Sequence, residues 1–125
     1  MAIRNYIGPI KGVPSGVLAA VRFVPGATPT VQEGWNCTVA RTPAGAGAGD
    51  YTVTLKGKAK GVIAQVEAQE NDTTTYHFCR VESQDDAAGT IKISHKSVAY
   101  ASVAAGPALS DTVDSITVLI YARGE

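Results

Sequence analysis

The stretch Thr42–Leu55, TPAGAGAGDYTVTL, decides how the rest of the chain is read. It sets glycine at every second position and then alternates apolar with polar residues without a break. A phosphate cradle needs a helix N-terminus after its glycines, because the unpaired N–H groups and the dipole point at the anion there. No helix pattern and no Gly-Lys-Ser/Thr follows. Instead "DYTVTLK" places Tyr51, Val53 and Leu55 on one face and Thr52, Thr54 and Lys56 on the other, which is a half-buried strand. "WNCTVAR" before the glycines reads as a strand too, with Trp35, Cys37 and Val39 on one face. The glycine run, Pro43 to Gly49, is therefore expected to be a hairpin connection between strands near 34–41 and 50–56.

Working outward, the same grammar recurs. "GVLAAVRFVPG" predicts a strand at 17–24 that Pro25-Gly26 ends, and "ATPTVQEG" a loop with a short extended piece. "GVIAQVEAQ" alternates Val62, Ala64, Val66 and Ala68 against Gln65, Glu67 and Gln69, with Ile63 breaking the pattern. "TYHFCRVES" is a strand whose facing is open, and "TIKISHK" turns Ile91 and Ile93 inward and Lys92, Ser94 and Lys96 outward. "SVAYASVA" should continue as strand past a kink, and "GPALSDTVD" should be loop. "SITVLIYAR" closes the chain as a strand apolar on both sides: Ile116, Val118 and Ile120 on one, Leu119 and Tyr121 on the other. A strand of this kind is usually covered on both faces. One cover is the opposite sheet, and Leu119 and Tyr121 are expected to meet a second subunit.

The sum is an all-β fold, a single antiparallel β-sandwich at 17–125 behind an extended N-terminal arm at 1–16. Helix signals are nearly absent and there is no internal repeat. The 125 residues suit one domain. Charged residues make up 18% and formal net charge is zero, so no electrostatic footprint for nucleic acid or an anionic membrane is expected, and copies repel one another little. The N-terminal "MAIRNYIGPIKGVPSG" lacks the apolar core of a secretion signal, and no apolar run reaches transmembrane length. Assembly in a cytoplasm is expected. Two cysteines, Cys37 and Cys79, read as reduced, buried apolar residues.

The candidate chemistry is thin. His77 and Cys79 share a strand face and with His95 offer three zinc ligands, but no fourth histidine or cysteine exists. Cys79 with either histidine is a poor nucleophile and base, since no helix N-terminus lowers the thiol pKa. Asp85, Asp86, Asp111 and Asp114 fall in turns, where aspartate bonds nearby N–H groups; loop calcium is the functional alternative. Asn36 and Asn71 match the glycosylation pattern, an accidental match without a secretion signal. Lys56, Lys58 and Lys60 form a basic cluster suited to a solvated edge. Trp35, Phe78, Tyr100 and Tyr121 are expected in a core or subunit contact. The immunoglobulin arrangement is not met, because Trp35 precedes Cys37 by two instead of lying between the cysteines. No enzyme activity and no cofactor are expected.

Two stretches carry a resemblance. "GDYTVTL" (Gly49–Leu55) after a glycine-rich hairpin, and "DTVDSITVLIYAR" (Asp111–Arg123) near the C-terminus, resemble small β-sandwich structural proteins of tailed bacteriophages. They are similar also to the jelly-roll heads of the complement and tumour-necrosis-factor group, although this chain has few aromatics. The resemblance implies a jelly-roll-like capsid decoration, or cement, protein on the virion surface. Its partner would be the major capsid protein, and it would form a homotrimer rather than a dimer. Ile3, Arg4, Tyr6, Ile7, Pro9 and Ile10 of the arm would then be docking residues. A tail or fibre component is the structural alternative. A carbohydrate- or receptor-binding module using Trp35 or Tyr100 is the alternative of another class.

Overall fold

The computed structural model describes residues 14–42, 48–57 and 62–123. They form nine strands: β1 (Pro14–Val24), β2 (Thr30–Trp35), β3 (Cys37–Arg41), β4 (Asp50–Leu55), β5 (Ile63–Gln69), β6 (Thr75–Asp85), β7 (Thr90–Ala99), β8 (Ala108–Leu109) and β9 (Ser115–Arg123). A 3-10 helical turn, Tyr100–Ala105, sits between β7 and β8. One sheet runs β2-β1-β9-β5 and the other β3-β4-β7-β6, with β8 paired to β7 beyond the end of β4. All pairings are antiparallel. The expected all-β sandwich is the fold.

The core lies where the period-2 patterns meet. Ala19, Val21 and Phe23 from β1 and Ile116, Val118 and Ile120 from β9 face Tyr51, Val53, Ile91 and Ile93 of the other sheet. Phe23 and Tyr51 meet edge to face across the layers, ring centroids 5.1 Å apart. The strands on either side of the glycine run pair as a hairpin: Arg41 pairs with Tyr51 and Cys37 with Leu55, and the Thr42 N–H donates to the Asp50 carbonyl, while residues 43–47 of the run lie outside the described residues. The alternations of β4, β5 and β9 have the predicted facing, and β6 turns His77, Cys79 and Val81 inward and Tyr76, Phe78 and Arg80 outward.

Several details differ from the sequence reading, among them β8, which pairs with β7 inside a stretch expected to be loop. The strand expected over 34–41 is two strands in different sheets, because Asn36 takes a left-handed φ of 60° and turns the chain from one layer to the other. Trp35 therefore does not share a face with Cys37: it ends β2, outside, while Cys37 begins β3 in the core. β1 starts at Pro14, three residues before the expected strand, since Pro14 already pairs with Arg123. "SVAYASVA" leaves the sheet at Ala99: Tyr100 packs its ring on Tyr76 and donates its N–H to the Thr74 carbonyl, and Gly106 at φ 79° ends the turn. Ser94 points outward as expected but is buried, because it is short and the Glu82 carboxylate bonds to it. The arm residues Ile3, Arg4, Tyr6, Ile7, Pro9 and Ile10, and also Lys58 and Lys60, lie outside the described residues.

Candidate functional site

The outer face of the four-stranded sheet is the first candidate. β9 runs through it between β1 and β5. Register sets its outward residues in rows across the strands. Leu119 lies opposite Ala20 and Gln65, and Ala20 opposite Trp35. Tyr121 lies opposite Val17 and Ile63. Thr117 lies opposite Arg22 and Glu67, and Arg22 opposite Glu33. One end of the face is thus apolar and the next row is charged. Trp35 is 53% exposed, Val17 43% and Ile63 40%, while Leu119 and Tyr121 are half-buried. A shallow groove of about 390 Å³ runs between Trp35, Glu33, Ala20 and Leu119. The two residues read as an interface from sequence are both on this face. Val17 was not so read, and Trp35, expected in a core or subunit contact, is placed on this face by the pairing register. Ile63 did carry a signal, as the apolar residue that broke its strand's alternation.

The second candidate is a buried polar cluster where the glycine hairpin meets the loop before β9. Asp111 accepts the Gly49 N–H at 2.8 Å, also accepts the Tyr51 hydroxyl, and pairs with the Arg41 guanidinium. The Tyr51 oxygen in turn accepts the Gly26 N–H at 3.1 Å. His95, fully buried, holds the other side. Its N–H donates to the Gly49 carbonyl at 2.8 Å, and its carbonyl accepts the Ser110 N–H at 3.1 Å. The ring Nδ1 lies 2.6 Å from the Ser110 carbonyl, which only accepts, so Nδ1 carries the proton. Nε2 of the neutral ring is then an acceptor for Nδ1–H of His77, 3.0 Å away, and the two rings stack.

The electrostatics follow from burial. The Tyr51 phenol is pushed up to about 12, first by burial and then by the Asp111 carboxylate it donates to. Burial pushes Asp111 up as well, but hydrogen bonds from Tyr51 and Gly49 and the charge of Arg41 outweigh it and hold the carboxyl below the usual range. Burial lowers His95, against a smaller opposing pull from the Ser110 carbonyl. These groups spend their hydrogen bonds on one another and on backbone from three loops. The arrangement is a clasp that fixes the hairpin and the 106–114 connection to the sandwich.

The remaining candidates are dispersed. His77 and His95 meet nitrogen to nitrogen, and among the described residues no group of three or more His, Cys, Asp or Glu is placed to hold a metal. Burial pushes the Cys79 thiol up to about 11, and Cys37 upward too; both are free thiols. Asp85 accepts the Ala88 N–H and Asp86 the Gln84 side-chain amide, both local turn contacts, while Asp114 accepts the Asn71 N–H from a loop 43 positions away. Lys56 is exposed just past β4. Phe78 and Tyr100, expected in a core or a subunit contact, are exposed on the outer side of the other sheet with Tyr76 and Leu109. Asp111 was legible only as a turn residue, because its partners Arg41 and Tyr51 lie 70 and 60 positions away. Comparison with family models, with curated proteins and with solved structures returned no match.

Proposed function

We propose that this chain is a structural protein that works through its surfaces, and specifically a decoration (cement) protein bound to the outside of a phage capsid. The observation that carries the first part is the outer face of the β2-β1-β9-β5 sheet, where Trp35, Val17, Ile63, Leu119 and Tyr121 form one apolar area. Contiguous apolar surface of this kind marks an interaction site. The second part rests on the resemblance of Gly49–Leu55 and Asp111–Arg123 to phage β-sandwich proteins. The fold adds a consistent feature: β1 begins at Pro14 beside Arg123, at the apolar end of that face. The proposed docking residues, Ile3, Arg4, Tyr6, Ile7, Pro9 and Ile10, precede that strand in the sequence. Such a segment can lay apolar anchors into a groove of the major capsid protein or extend a sheet edge.

Co-sedimentation with empty, expanded phage heads tests the reading. The full chain should pellet with heads and a chain lacking residues 1–12, which keeps β1 whole, should stay in the supernatant. Full-length protein that ignores heads would refute capsid decoration. A carbohydrate-binding reading has one observation of its own. Tyr76 and Tyr100 lie with ring centroids 4.2 Å apart, and Tyr76 shares the exposed face of β6 with Phe78, which lies opposite Lys96. A rise in melting temperature with oligosaccharide would favour it.

A further inference from the structure

We propose that the outer face of the β2-β1-β9-β5 sheet pairs with the same face of a second copy, in a two-fold dimer whose axis runs along β9. The inference rests on reading this face as an interaction surface, and it names the occupant. An isologous contact needs a surface that complements itself. Charge decides where the axis passes. The row beside the apolar end reads Glu33, Arg22, Thr117, Glu67 across β2, β1, β9 and β5. An axis between β1 and β9 would set Glu33 against the partner's Glu67, two like charges. An axis along β9 exchanges β1 with the partner's β5, which sets Arg22 against the partner's Glu67, twice by symmetry.

The same operation orders the apolar end. Leu119 and Tyr121 lie on the axis strand and meet their own copies. Val17 on β1 faces the partner's Ile63. Trp35 lies one strand outboard of the partner's β5, about 4.8 Å beyond it, within reach of a side chain of this length. It closes over the partner's edge strand. The zero formal charge of the chain leaves little net repulsion to overcome.

The size fits a dimer that forms and falls apart. Three strands, β1, β9 and β5, overlap under this axis, and at the seven residues of β5 they make a face of roughly 14 by 24 Å, or about 340 Å² per copy before Trp35 and side-chain relief are added. Two copies then bury on the order of 700 Å² of flat area, the size of a weak, transient contact. Dissociation in the micromolar range is expected, which a dilution series can follow.

Trp35 is the sole tryptophan, so it reports on this contact without any substitution. The full chain is diluted through the micromolar range while its mass is followed by sedimentation and its tryptophan emission recorded. A shift from dimer to monomer, with the emission moving to longer wavelength over the same range, is expected. Arg22→Glu and Glu67→Arg should each weaken the dimer about 30-fold or more, and the double charge swap should restore it. Phe78→Arg, on the opposite sheet, should leave it unchanged. All are exposed or half-exposed positions, and circular dichroism checks that each variant folds.

A monomer at every concentration would overturn the proposal, as would a trimer, or a dimer that survives both single substitutions with tryptophan emission constant. A capsid-protein occupant predicts the first of these outcomes together with head binding. Capsid decoration fails separately, if protein that dimerises as described does not pellet with heads.

Discussion

Asp111 draws together groups that the chain keeps far apart, the Gly49 N–H, the Tyr51 hydroxyl and the Arg41 guanidinium, and His95 completes the arrangement from β7. Both residues make stability depend on pH in the same direction. The groups facing His95 are His77 and Cys79 on β6, the Ser110 carbonyl, and more distantly Asp111 and Glu70. With burial dominant, folded His95 resists a proton that the unfolded chain accepts below about 6.5. Its contribution is complete above that pH and is lost as pH falls through the lower folded value. Asp111, depressed in the fold, contributes fully above about 3.9 and less as pH falls through its own folded value. Melting temperature should therefore descend in two stages as pH falls, one below about 6.5 and one below about 3.9. His95→Gln should flatten the upper stage alone; an unaltered upper slope would show that another group causes it. Asp111→Asn should cost about 2 kcal/mol in denaturant unfolding, the range for losing a partly buried charged hydrogen-bond acceptor.

At the scale of the element, two backbone positions hold the hairpins in place. Asn36 sits at φ 60° where β2 gives way to β3, with its side-chain amide on the Leu18 carbonyl at 3.2 Å. Asn36→Ala should cost about 1–2 kcal/mol for the left-handed backbone, and Asn36→Gly distinctly less. Gly49 is the stricter case: at φ 87° an added Cβ would lie 2.5 Å from the His95 carbonyl oxygen and 2.7 Å from the Ser110 nitrogen. Those are backbone atoms that the clasp fixes, so Gly49→Ala should destabilise by about 3 kcal/mol or more. Equal midpoints for Gly49→Ala and wild type in urea would contradict the clasp. These positions also mark what a sequence shows. Tyr51, Val53 and Leu55, or Ile116, Val118 and Ile120, are legible because burying one side of a strand forces a period of two. "WNCTVAR" keeps that period across Asn36 while the chain changes sheets, so the pattern is blind to the change. Leu119 and Tyr121 were legible as a second apolar side of one strand. Trp35 and Val17 join them only through pairing with β1 and β9, and Asp111 finds Arg41 only through the closed fold.

The sandwich is closed by the first and last of its described strands. β1 and β9 are neighbours in the middle of one sheet, with Pro14 opposite Arg123 and Phe23 opposite Ile116. β5 has its sheet partner in β9 alone among the described strands. Nothing in that sheet beyond the β1–β2 hairpin can form until the last nine residues of strand are in place. Pairing across nearly the full sequence carries a large loop-closure cost before contacts repay it. Refolding should accordingly take milliseconds to seconds, the range of sandwiches dominated by distant pairings. Ending the chain before Ser115 removes Ile116, Val118 and Ile120, all fully buried, and leaves both β1 and β5 without the partner between them. The shortened chain should show no cooperative melt by circular dichroism, even though the β3–β4 and β6–β7 hairpins lie wholly within it. A two-state melt in that chain would mean that the β3-β4-β7-β6 sheet is stable by itself. The apolar outer face carried by β9 would then belong to an added strand and not to the part of the fold on which the sandwich depends.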